Sequence, residues 1–137
     1  MVAEGADDTG LADLHQTLLD AGAVARHVGS RLGRLTLASG NTLDLDAAVE
    51  VMPSVLWDAM VLVADGASQA LLARDAKLQE FIRDQYRHAK PMLLIGDAAP
   101  VLALLGIPAA LADGSEDPGL LVGTAGNDGL AGRFITA

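Results

Sequence analysis

Residues 59–97 read AMVLVADGASQALLARDAKLQEFIRDQYRHAKPMLLIGD. Ala59–Ala64 is an unbroken apolar run of strand length stopped by Asp65-Gly66, and Pro91–Ile95 is a second such run. Between them, from about Ser68 to His88, the pattern is that of a helix pair. Leu78, Phe81, Ile82 and Tyr86 form one apolar stripe, and Lys77, Glu80, Arg83, Asp84 and Arg87 fall on the face toward water. Two strands joined by a helical crossover run parallel in one sheet. Strands with no polar alternation are buried on both faces. The stretch therefore predicts a parallel sheet covered by helices on both sides.

The same alternation continues outward. Gly96-Asp97 begins a turn into a helix over about Ala98–Leu105, closed by Gly106 and Pro108. Asp113–Gly119 is a surface loop, Leu120–Val122 a short final strand, and Leu130–Ala137 an apolar helix. Upstream, Met1–Glu4 has the character of a strand's end. Leu11, Leu14, Leu18 and Ala21 then recur at helical spacing, with Asp8 or Thr9 as the expected cap and Gly22 as the stop. Ala23–Val28 reads as the second strand. Leu35–Leu37 and Thr42–Leu45 flank the turn Ala38–Asn41, which predicts a β-hairpin excursion. Pro53–Asp58 is a short turn or helical piece. The expectation is one α/β domain over residues 1–137, without internal repeat or linker. A chain that opens at a strand's end and closes inside a helix is expected of a piece of a longer polypeptide.

Composition narrows the function. With 51% hydrophobic residues in 137, the chain can bury a real core, and with few aromatics that core is built from Leu, Val, Ile and Ala. A net charge of -9 argues against nucleic acid, which demands clustered Lys and Arg. The absence of cysteine excludes disulfides, thiolate metal sites and a thiol nucleophile within the chain. No apolar run approaches the roughly 20 residues of a membrane span, and no signal peptide is legible. A cytoplasmic location is expected.

Several phrases, in order, resemble one family. Arg83-Asp84-Gln85-Tyr86-Arg87-His88-Ala89-Lys90-Pro91 leads into Leu94-Ile95-Gly96-Asp97-Ala98. Upstream stand Pro53-Ser54-Val55 with Asp58-Ala59-Met60-Val61, and Ser30-Arg31-Leu32-Gly33 with Ala38-Ser39-Gly40-Asn41-Thr42-Leu43. Together they resemble the C-terminal domain of large-subunit haem catalases, within the glutamine-amidotransferase and intracellular-protease-like superfamily. The resemblance covers nearly the whole chain. It implies a flavodoxin-like sheet with helices on both faces. It also implies a homotetrameric parent whose N-terminal catalase portion binds haem and decomposes hydrogen peroxide, leaving this chain with no cofactor of its own.

Active members of the superfamily mount a cysteine on the sharp turn after a core strand, where helix amides lower its pKa. By that resemblance Gly96 falls at or next to the nucleophile position, a vestigial elbow completed by Asp97. Glycine offers no nucleophile, and Asp97 reads as the cap of the following helix rather than as a carboxylate nucleophile. Gly10 falls at the vestigial acid position, where relatives place a supporting Glu. Asp7 and Asp8 nearby read as solvated loop carboxylates or a cap. No histidine follows Ala98 to serve as the third member.

The remaining motifs have plain explanations. His15 lies on the first helix, His27 in the second strand and His88 at a helix end, with no i, i+4 pair for a metal. His88, Arg87 and Lys90 suit a helix C-terminus. Gly119–Gly123 and Gly126–Gly129 lack dinucleotide spacing, and the acidic loop Glu4–Asp8 would repel a flavin phosphate. Three functions follow. The first is a non-catalytic accessory domain supporting stability and tetramer assembly, with chaperone-like binding as a variant. The second is a free-standing hydrolase or deglycase, and the third a homodimeric interaction module. The sequence upstream of Met1 would discriminate among them.

Overall fold

The computed structural model describes residues 1–127 and 129–137, so Asp128 of the Gly126–Gly129 motif lies outside the described residues. The core is the predicted strand–helix–strand unit. Strand β5 (Met60–Ala64) pairs in parallel with β6 (Met92–Gly96), and β6 with β7 (Leu120–Gly123), giving the order β5-β6-β7. Two further strands, β1 (Val28–Gly29) and β4 (Ala47–Ala48), also pair in parallel. Residues 1–3 form no regular ladder, yet they join these two sheets. The Val2 N–H donates to Val28 O at 3.0 Å, and the Val63 N–H donates to Met1 O at 3.3 Å. The chain's start thus occupies the place of a central strand. The expected strand over Ala23–Val28 is corrected to Val28–Gly29. Ala23–Arg26 has no neighbouring strand to pair with and instead borders a cavity.

The period-2 alternation of a strand sorts the core into two faces. Met60, Leu62, Met92, Leu94 and Leu120 meet α2 (Gly66–Leu72), α3 (Ala76–Arg87) and α4 (Ala98–Leu105). Leu93, Ile95 and Leu121 meet α1 (Leu11–Asp20) and α5 (Leu130–Thr136). Helices cover both faces, as predicted. The hairpin, β2 (Arg34–Thr36) with β3 (Thr42–Asp44), packs through Leu35, Leu37 and Leu43 onto Val2, Ala6 and Val63.

The helix starts are made locally. Asp65 and Asp75 cap α2 and α3, accepting the N–H groups of Ser68 (2.9 Å) and Leu78 (3.0 Å). The cap of α1 is neither Asp8 nor Thr9 but Gly10, in the left-handed region at φ 69° and without a side-chain hydrogen bond. Gly22 does stop α1, its N–H bonding Leu19 O while that of Ala23 bonds Leu18 O. On α3, Leu78, Phe81 and Ile82 are buried and Tyr86 is half-buried. Arg83 does not stand free in water: its Nε donates to Leu105 O at 3.0 Å, tying α3 to the end of α4.

The segment around the short 3-10 turn Ser54–Leu56 is held by the last turn of α3 and the residues just after it. Gln85, fully buried, donates its Nε2 to Ser54 O at 2.7 Å. Lys90 donates its Nζ to the same oxygen at 2.8 Å and also to Trp57 O. Lys90 thus turns inward to foreign carbonyls rather than serving the last turn of its own helix. His88 is the residue after that turn, as expected.

Candidate functional site

Ligands and catalytic groups of parallel α/β proteins gather beyond the carboxyl ends of the strands. Here that edge carries Asp65, the Gly96-Asp97 turn, and the loop from Glu4 to Gly10. Gly96 closes β6 at φ 107°, a conformation that L side chains rarely adopt. A Cβ added to it would lie 3.0 Å from Ala64 O. The turn therefore has the sharpness of a nucleophile elbow but neither a side chain nor easy room for one. Asp97 takes the N-cap position of α4, yet its carboxylate accepts no backbone N–H, which corrects the expected side-chain cap. Its φ of -80° differs from the -112° and -118° of Asp65 and Asp75, which do cap their helices.

Gly10 is equally confined. A Cβ there would meet the Cβ of Ala125 at 2.8 Å. The neighbouring carboxylates, exposed Asp7 and half-buried Asp8, are already bonded, the first within its loop and the second to the hairpin turn. Asp7 Oδ1 accepts the Thr9 N–H at 2.9 Å, which holds its carboxyl below the usual range. Asp8 Oδ2 accepts the Ser39 hydroxyl at 2.6 Å and the Asn41 amide at 3.3 Å, and the serine bond lowers its pKa likewise. Asp65 Oδ2 accepts the Asp7 N–H at 2.7 Å, linking this loop to the start of α2. These residues staple the loop, the hairpin turn and α2 together.

Open space lies at the opposite, amino end of the strands. A cavity of about 620 Å³ is lined by Met1, Leu14, Leu18, Trp57, Met60 and Phe134, among others. A smaller one of about 190 Å³ lies instead on the carboxyl side, between Glu4, the loop after β1 at Arg31, and Ala67 and Arg74 of the α2 region. Neither is lined by Gly10, Gly96 or Asp97. In the wall of the larger cavity His15 and His27 stack, their ring centroids 4.2 Å apart. His27 stands just before β1, and its backbone N–H donates to Asp46 at 2.7 Å. Burial, then the neighbouring His15, push its imidazole below the ordinary value against the pull of Asp46. The Met1 α-amino group is enclosed and donates to Val61 O. Burial lowers its pKa from 8.0 to about 5. Sequence reasoning missed this pair and this amine. The signal for His15 was available, since Leu11, His15 and Leu18 share one helical stripe.

The fold and its phrases find their counterpart in known proteins. The model of the C-terminal domain found in long catalases matches residues 2–137. The chain belongs to that family. Its catalase relatives include Catalase HPII of Pseudomonas aeruginosa, 25% identical over 132 residues, covering 96% of this chain and 18% of that protein. Catalase HPII of Mycobacterium avium is 29% identical over 138 residues, covering 98% of this chain and 20% of that protein. The chain thus spans about a fifth of the length of the catalases it matches. Solved structures place this catalase domain in the flavodoxin-like fold. A ThiJ/PfpI domain protein from Brachyspira murdochii superposes with a TM-score of 0.79 at 13% identity, covering 97% of this chain and 90% of that one. Drosophila melanogaster DJ-1beta gives 0.77 at 17%, covering 98% and 83%.

A catalase relationship raises the question of haem. The residues of this domain do not fit one. Tyr86, on α3, packs against the core, and His15 and His27 stack on one another in the cavity wall, so neither ring stands alone as a single axial ligand would. Among the described residues no three His, Asp or Glu side chains group to hold a metal ion, and no helix is long and apolar enough to cross a membrane.

Proposed function

We propose that this chain is the non-catalytic C-terminal accessory domain of a longer haem catalase, cytoplasmic and tetrameric. The N-terminal portion of the same polypeptide would hold the haem and decompose hydrogen peroxide. The observation that carries the non-catalytic reading is Gly96. At the turn where fold relatives of this type would need a nucleophile, the chain has a left-handed glycine whose missing Cβ would press on Ala64 O. Among the described residues, Asp97 beside it makes no side-chain cap bond and lines neither cavity. A fold does not confer an activity, which depends on the groups mounted upon it.

The domain's role is then mechanical: surface buried only in the native assembly stabilises that assembly. Removing residues 2–137 from the full chain is expected to leave peroxide turnover per haem unchanged, to lower the temperature of thermal inactivation, and to loosen the tetramer in sedimentation. The alternative of a free-standing hydrolase or deglycase is tested on the domain alone. Esterase, glyoxalase or peptidase turnover that vanishes in Asp97→Ala would overturn the non-catalytic reading. Suppression of aggregation of a denatured client protein tests the chaperone-like variant.

A further inference from the structure

The stack of His15 on His27 has no part in the accessory reading. We propose that it is a pH-operated clasp. With uncharged rings it fastens the return from α1 to β1. In acid both rings charge and part, freeing the end of α1 and residues 21–27 from the sheet.

The geometry supplies the clasp. His15 stands half-buried on α1 and His27 half-buried just before β1. Their ring centroids lie 4.2 Å apart, with 24° between the planes. Little else holds the segment that they close. The buried residue of α1 is Leu14. Gly22 and Ala23 return their N–H groups to α1 itself, and among the described residues no backbone hydrogen bond involves Val24, Ala25 or Arg26. The next tie is at His27, whose N–H donates to Asp46 and whose carbonyl accepts the N–H groups of Asp46 and Ala47. A segment with so few buried contacts opens at low cost, so a single ring contact weighs heavily on it.

The charges supply the switch. Uncharged aromatic rings attract when stacked, whereas two imidazoliums at this separation repel. The groups that touch the pair or share its cavity wall are Asp46, Arg26, Asp58 and the Met1 amine. Asp46 Oδ2 lies 3.7 Å from His27 Nδ1 and also accepts the His27 N–H, so it can balance one imidazolium and not two. Arg26 and the amine oppose added positive charge, and Asp58 is exposed to water. Among the described residues, α1 and α5 add no charged side chain to this wall apart from His15. Burial first, and His15 second, hold the His27 imidazole below its ordinary 6.5. Parted from His15 and wetted, it would regain its affinity for a proton. Protons therefore bind the open form more tightly, and opening grows as pH falls below 6.5.

What the opening uncovers is apolar. Leu14 and Leu18 of α1 line the same cavity as both rings, together with Met60 and Phe134. The clasp makes acid a signal for exposing that wall while the β5-β6-β7 sheet stays closed.

The test is hydrogen exchange of the full-length chain at about pH 7.5 and about pH 5.5, either side of the imidazole range, corrected for the intrinsic pH dependence of exchange. The unaltered protein is compared with His15→Phe and His27→Phe, each of which keeps a ring in the stack and removes its charge. In the unaltered protein the amides of residues 15–27 are expected to exchange at least about tenfold faster at the lower pH. In both variants their corrected rates stay level, while Leu93 in β6 remains protected throughout and shows that the domain is folded. The Met1 nitrogen is common to all three proteins, so its titration cancels from the comparison. His15→Gln and His27→Gln, which also cannot charge, repeat the test with smaller side chains. Acid acceleration that persists in any of these variants, that is absent from the unaltered protein, or that extends equally to Leu93 overturns the proposal.

Discussion

The two ends of one sheet are built in opposite ways. At the carboxyl edge the backbone is crowded: a Cβ on Gly96 would lie 3.0 Å from Ala64 O and one on Gly10 would meet Ala125, while Asp7 bonds within its loop and Asp8 bonds the hairpin turn. At the amino edge, a space of about 620 Å³ stands open, walled by apolar side chains, a histidine stack and a buried amine. The edge that parallel α/β folds ordinarily use for chemistry is tied together around Gly10 and Gly96, and the larger open space lies at the opposite edge.

The largest expected effect belongs to the amino edge. In the isolated domain, where Met1 carries a free amine, the unfolded chain holds a proton between pH 8.0 and about 5 that the folded chain does not. Stability therefore rises with pH across that window, and acidification from 8 to 5 is expected to cost up to about 4 kcal/mol. His27, lowered by burial, adds in the same direction. Urea unfolding at both pH values, with the amine free and acetylated, isolates the Met1 share. An identical acid loss in the two forms would mean that the amine is not buried in solution.

At the carboxyl edge, Gly96→Cys would restore a thiol at the elbow. The strain of a positive φ and the contact with Ala64 O are expected to cost about 1–3 kcal/mol in denaturant unfolding without producing hydrolase turnover. A stable, reactive thiol would break the contrast between the two edges. Asp65→Ala removes both the α2 cap and the bond from the Asp7 N–H, and about 1–2 kcal/mol should be lost. Smallest of all is Asp97→Ala, whose carboxylate bonds no amide. Its effect on the midpoint of unfolding should stay within about 0.5 kcal/mol, and a larger loss would reinstate the cap that the geometry denies.

The strand–helix–strand unit over residues 59–97 was legible because its signals are local: apolar runs for buried strands, a 3.6-residue stripe for α3, capping residues at helix starts. The hairpin was legible for the same reason. Gln85 shows the limit. It lies on the stripe of Leu78, Phe81 and Ile82, so burial was readable from spacing, but its partner Ser54 is 31 residues away. Lys90 read as a helix-end charge until the fold brought Ser54 and Trp57 to it across 36 and 33 residues. Asp8 and Thr9 lost the α1 cap to Gly10 because Asp8 found a stronger use on the hairpin turn.

From the sequence alone came the parallel α/β sheet, the family phrases and the missing thiol, since each depends on residue type and on neighbours a few positions apart. Only the tertiary structure decided that a side chain at Gly96 would be strained and crowded against Ala64 O, that Met1 is enclosed, and that His15 meets His27. Those depend on the distance between backbones far apart in the chain, which no local pattern encodes, because packing is settled by what arrives on the other side.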